Sequence, residues 1–106
     1  MKWNIVGSAA AILLFAAAPA SAAEIRVTMS GAAYHPDRIN AKIGDTIRFV
    51  NDDGVNHDVF VPTAGHALDL GKQEPGQEAV MPLGKAGIFE VECVFHPGML
   101  TIVEVK

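Results

Sequence analysis

The side chains of this sequence that could do chemistry gather in one short run, Cys93-Val94-Phe95-His96-Pro97-Gly98-Met99. A thiol, an imidazole and a thioether recur there at intervals of three, and so short a loop can turn all of them toward one ion. Zinc and copper both accept thiolate and neutral imidazole. Structural zinc sites favour several cysteines, often as Cys-x-x-Cys pairs, and make no use of a thioether. One cysteine, two histidines and a weak axial methionine form instead the trigonal set of an electron-transfer copper ion. Soft sulfur suits Cu(I) and imidazole tolerates Cu(II), so a compromise geometry lets both states exist with little rearrangement. The second histidine must come from elsewhere in the chain, and His57 is the candidate. The predicted ligands of a single copper ion are therefore His57, Cys93, His96 and Met99.

Each of these residues alone has a plainer reading. Cys93 could be a small core residue, since free cysteine is often buried, or a nucleophile paired with a histidine. A nucleophile would need a third, orienting group and a substrate pocket, and the sequence offers no sign of one. Four protein ligands on one copper also leave no open position for substrate, so no enzyme and no catalytic residue are expected. Met99 by itself would be core filler, His96 a loop histidine, and His57 a histidine satisfied at a strand end. Only the Cys-x-x-His-x-x-Met spacing joins them. His35, beside Pro36, and His66, in an irregular stretch, read as solvated residues and not as a second metal site.

The rest of the chain has to export and hold this loop. Its 106 residues leave room for one domain. Met1-Lys2-Trp3-Asn4 is a short positive start, Ile5 to Ala18 carries no charge, and Pro19-Ala20-Ser21-Ala22-Ala23 supplies the small residues of a signal-peptidase site. A spanning helix needs about 20 apolar residues, more than this Ala-rich run provides. A cleaved export signal is predicted, with no membrane attachment afterwards. Cleavage after Ala22 and after Ala23 fits equally, and the boundary is drawn at signal 1–22 and domain 23–106. Processing removes Lys2 and no acid, leaving the domain one unit more negative than the −4 of the whole chain. An acidic domain gains nothing from counterion release, which excludes nucleic acid, and it suits partners with a basic docking face. Exported cysteines usually come in pairs; the single Cys93 is explained if an ion occupies it. A domain of about 84 residues is small for one core, so a bound metal would add useful stability.

The pattern between turns is of strands. Ile25, Val27 and Met29 alternate with polar residues, as do Ile39, Ala41 and Ile43, then Ile47 and Phe49 about Arg48. Tyr34-His35-Pro36-Asp37 and Asn51-Asp52-Asp53-Gly54 read as turns. In His57-Asp58-Val59-Phe60-Val61 the imidazole shares the inward face of Val59 and Val61, at the end of the core. Thr63 to Gln77 has little periodicity and reads as irregular, with at most one helical turn. Glu78 to Leu83, Ile88 to Cys93 and Leu100 to Val105 complete the set, with Phe89, Val91 and Cys93 facing inward. Seven short strands and no convincing helix predict an all-β sandwich of two sheets.

On these residues the chain resembles the cupredoxins, the small type 1 or blue copper proteins. The short Cys93-x-x-His96-x-x-Met99 loop is most like their amicyanin and pseudoazurin branches. Tyr34-x-Pro36, Ile43-Gly44-Asp45-Thr46-Ile47-x-Phe49-x-Asn51 and the apolar strand after Met99 match too. The resemblance implies a Greek-key β-sandwich with one type 1 copper ion at one end. It also implies shuttling of single electrons between larger redox proteins, a dehydrogenase or a cytochrome, in the bacterial periplasm. Docking would be transient, as small redox interfaces are, at the edge of His96 and an apolar patch of Val94, Phe95, Pro97 and Leu100; a monomer is expected. One feature departs from the family pattern Pro-His-Asn: this chain has Asn56-His57-Asp58. An ionised Asp58 accepts hydrogen bonds but cannot donate one, which predicts a looser site biased toward Cu(II). That departure, with His35 and His66 to spare, motivates the alternative of a periplasmic copper carrier or tolerance protein using the same ligands.

Overall fold

The computed structural model describes residues 21–106; of the expected signal, residues 1–20 lie outside the described residues. Nine strands follow one another: β1 (Glu24–Ser30), β2 (Ala33–His35), β3 (Arg38–Ala41), β4 (Thr46–Asn51), β5 (His57–Val61), β6 (Leu68–Gln73), β7 (Glu78–Pro82), β8 (Gly87–Glu92) and β9 (Leu100–Val105). They form two mixed sheets, ordered β2-β1-β4-β7 and β3-β9-β8-β5-β6. The parallel pairs are β1 with β4 and β3 with β9; the other neighbours run antiparallel. The chain crosses between sheets after β2, β3, β4, β6 and β7, which gives the Greek-key sandwich. No helix occurs among the described residues.

Alternation with period two builds the core, because successive side chains of a strand point to opposite faces. One sheet sends in Val27, Met29, Ile47, Phe49 and Met81, and the other Val59, Val61, Phe89, Val91, Val103 and Val105. Each buried residue of this kind contributes about 1.5–3 kcal/mol of burial free energy, and burial on one face also fixes strand register.

Two of the nine strands, β2 and β6, lack the alternation that marks the other seven in the sequence, each for a physical reason. β2 is three residues long and ends before the cis His35–Pro36 bond. It pairs with β1 through the turn Gly31-Ala32, where both residues take positive φ, 63° and 54°. That is the two-residue hairpin geometry whose twist matches the flanking strands. β6, in the stretch predicted irregular, contains a bulge: Val59 faces Gly71, Phe60 faces Asp69, and Leu70 is the extra residue. Gly71 supplies the positive φ of 80°, and the insertion breaks the alternation that would have revealed the strand. Ile43 does not face inward with Ile39 and Ala41 as the alternation predicts. It is 56% exposed, because β3 ends at Ala41 and Gly44, with φ 99°, turns the chain away.

Candidate metal centre

The end of β8, the start of β5 and the loop 93–99 meet at one pole of the sandwich. Strand alternation carries Cys93 inward just beyond β8, and His57 is fully buried at the first position of β5. The loop consists of two consecutive turns, in which the His96 amide donates to the Cys93 carbonyl and the Met99 amide to the His96 carbonyl. Pro97 and Gly98 occupy the centre of the second, Gly98 at φ 89°, the positive value that this turn position demands. The Cys93 amide then donates to the Met99 carbonyl, so Met99 returns beside Cys93 and is buried.

The two imidazoles and the thiol converge. Cys93 Sγ lies 3.8 Å from His57 Nδ1 and 3.6 Å from His96 Nδ1. All three donor atoms lie within 4.8 Å of one another. Bonds of about 2.0 Å to imidazole and about 2.3 Å to thiolate, at an angle of about 110–120°, separate nitrogen from sulfur by about 3.5–3.7 Å. The two nitrogen–sulfur separations are therefore close to those of ligands on one small transition-metal ion. His57 and Cys93 are buried and His96 is half-buried, within an exposed collar of Val94, Phe95, Pro97 and Leu100.

Polar side chains that the sequence pattern places in turns brace this centre. Asp53 Oδ2 accepts from His57 Nε2 at 2.7 Å. Backbone amides of Ala32 and Gly31, together with this imidazole, hold the Asp53 carboxyl down at a pKa of about 2. The fully satisfied Asn51 shapes the same loop: its amide donates to the carbonyls of Val55 and Gln73, and its oxygen accepts from the Asp53 amide. The signal for both was the pair of turn residues ahead of a histidine, which sequence alone could not distinguish from solvated ones. Tyr34 donates its hydroxyl to the Asp58 carbonyl at 2.6 Å, tying β2 of one sheet to β5 of the other.

Asp58 itself accepts the Val94 amide at 3.0 Å. An acceptor is what this brace requires, so the ligand loop is fastened to β5 despite the missing amide. Burial pushes the Asp58 carboxyl above its usual range and nearby Asp69 adds to this, while the Val94 amide opposes it. His35 stays apart, exposed against the Ser30 carbonyl. His66 is not simply solvated: it stacks on Phe89 at 4.9 Å. Neither joins the cluster of His57, Cys93 and His96, the one such group among the described residues.

The fold and site define a β-sandwich domain with a single thiolate–imidazole metal centre at one pole. No family model matches the chain. It is 31% identical over 110 residues to the pseudoazurin of Methylorubrum extorquens, covering 95% of this chain and 74% of that protein. It is 32% identical over 106 residues to the plastocyanin of Prochlorothrix hollandica, covering 90% and 81%. Among solved structures, a Cu(I) form of an amicyanin variant superposes with a TM-score of 0.71 at 26% identity, over 77% of this chain and 81% of that one. The chain belongs to the cupredoxins, of the amicyanin and pseudoazurin type. It is an electron-transfer copper protein and not an enzyme, and its cofactor is one type 1 copper ion.

Proposed function

We propose that this domain works in the periplasm as a monomer, carrying single electrons between larger redox proteins. Its copper would be held by His57, Cys93 and His96 in a trigonal set, with Met99 as the weak axial ligand. The observation that carries the reading is the meeting of two imidazole Nδ1 atoms and one buried thiol at a single pole, with one of the imidazoles half-exposed. The bound ion supplies a one-electron couple between Cu(I) and Cu(II). Everything else falls to the chain. Buried Cys93 and His57 keep water from the ligands, and the braced loop keeps their geometry nearly constant, so little reorganisation accompanies electron transfer.

His96 is the port in this reading. Its imidazole lies in the collar of Val94, Phe95, Pro97 and Leu100, of which Val94 is 60% and Phe95 49% exposed. An exposed apolar collar of four residues suits brief docking of a redox partner, because redox encounters use small interfaces. Export requires the signal to be removed, and we place the mature start at Ala23. The Ala23 amide donates to Asp45 Oδ1 at 2.9 Å and its carbonyl accepts the Thr46 amide at 3.0 Å. Cleavage after Ala22 preserves both contacts and sets a new ammonium beside the Asp45 carboxylate, whereas cleavage one residue later discards them.

Secretion of the full 106-residue chain, copper loading and voltammetry test the reading. The expected result is a reversible one-electron couple with electron self-exchange much faster than copper exchange. Rapid metal exchange without a reversible couple would favour the copper-carrier alternative.

A further inference from the structure

We infer that Asp53 is a positioning residue of the metal centre: clamped by the β1–β2 turn, its carboxylate fixes His57 in the tautomer that leaves Nδ1 free for the ion. This rests on His57 being a copper ligand, as proposed above.

Three N–H groups converge on Asp53. The Gly31 amide donates to Oδ1 at 2.8 Å, the Ala32 amide to Oδ2 at 2.9 Å, and His57 Nε2 lies 2.7 Å from Oδ2. Two consecutive residues with positive φ aim their amides to the same side, a concavity that binds anions. The Asp53 amide is itself held by Asn51 Oδ1 at 2.9 Å, so the carboxylate is fixed from both ends. An ionised carboxylate only accepts hydrogen bonds. The proton of neutral His57 must therefore sit on Nε2, and the lone pair on Nδ1, which faces Cys93 Sγ at 3.8 Å. A hydrogen bond to one ring nitrogen is what selects the ligating nitrogen of a histidine. His96 presents Nδ1 to the same sulfur and has no carboxylate partner among the described hydrogen bonds. The two histidines are thus held differently: the buried one by a charged clamp, the half-exposed one by its turn.

Asp53→Asn separates positioning from simple clamping of the hairpin. An amide has one accepting oxygen for three donors, and its NH2 group turned toward His57 favours the tautomer with the proton on Nδ1. Long-range proton–nitrogen spectra of the copper-free secreted protein at about pH 8, above the free imidazole value, read the tautomer directly. The wild-type chain is expected to show His57 wholly protonated on Nε2. In Asp53→Asn the Nδ1-protonated form should become populated, and affinity for Cu(II), measured by chelator competition, should fall about 10–100-fold. A wild-type His57 protonated on Nδ1 overturns the inference even if the variant does not fold. So does a folded Asp53→Asn with unchanged tautomer and affinity. A wild-type protein with the stated tautomer that takes up no Cu(II) would instead defeat the copper reading on which the inference stands.

Discussion

Tyr34 is the residue whose removal tests how the two sheets are joined above the metal pole. Its hydroxyl donates to the Asp58 carbonyl at 2.6 Å, and its ring, 2% exposed, packs edge-on against Phe49 with centroids 5.9 Å apart. Tyr34→Phe keeps the ring and deletes only the donor. A net hydrogen bond is worth about 1 kcal/mol, and a buried acceptor left unpaired costs up to about 3 kcal/mol. At about 4–8 °C per kcal/mol for a domain of this size, Tm should fall by about 4–24 °C. Thermal unfolding of the copper-free secreted protein measures the shift, and urea unfolding the loss in free energy, with a lower midpoint and an unchanged m-value because the exposed surface is the same. Copper should also dissociate faster from the variant, since the lost bond anchors the residue next to His57. A change in stability below about 0.5 kcal/mol, the range of ordinary surface substitutions, would refute the claim that this hydroxyl pins β5 to β2.

Three further outcomes follow from particular contacts. Gly98→Ala meets no neighbouring atom within 4 Å but must hold φ at 89°; it should cost about 1–2 kcal/mol by backbone strain alone, seen in the same unfolding assay, and a neutral variant would mean the second turn of the loop is not as described. Asp45 accepts the amides of Ala23 and Lys42, which lower its pKa. Its stabilising effect is therefore present above the unfolded value of about 4 and lost as pH falls through the lower folded value. Asp45→Asn should be less stable than wild type near neutral pH and should show a flatter decline below about pH 4; identical acid sensitivity in both proteins would count against this. Phe95→Asp, on the exposed collar, should leave the copper spectrum intact and slow electron self-exchange by roughly tenfold or more through like-charge repulsion across the contact. An unchanged self-exchange rate would place the port elsewhere.

Much of this was legible in the sequence because inward alternation and the placement of the candidate metal-binding side chains coincide. Phe89, Val91 and Cys93 alternate to the end of β8, and His57 shares the face of Val59 and Val61, so local periodicity alone delivers a thiol and an imidazole to the rim of the core. Ligand spacing did the rest, since Pro97-Gly98 can only turn. What stayed hidden depends on contacts between distant parts of the chain. Asp53 reads as one of four turn residues until the β1–β2 hairpin, itself too short to recognise, folds over it. Tyr34 reads as turn chemistry until β2 pairs with β1. β6 was concealed by its own bulge at Leu70 and Gly71, which shifts the phase of the pattern halfway along the strand. At Asp58, reasoning from donor capacity foresaw a looser site; the partner is the Val94 amide, for which an acceptor suffices.

The most direct test of the account is the visible absorption of the Cu(II)-loaded secreted protein beside that of Cys93→Ala. Intense thiolate-to-copper absorption in the first and its absence in the second is the predicted result. A wild-type protein that binds Cu(II) with no such band, or a band that survives in Cys93→Ala, would contradict the assignment of Cys93 to the ion.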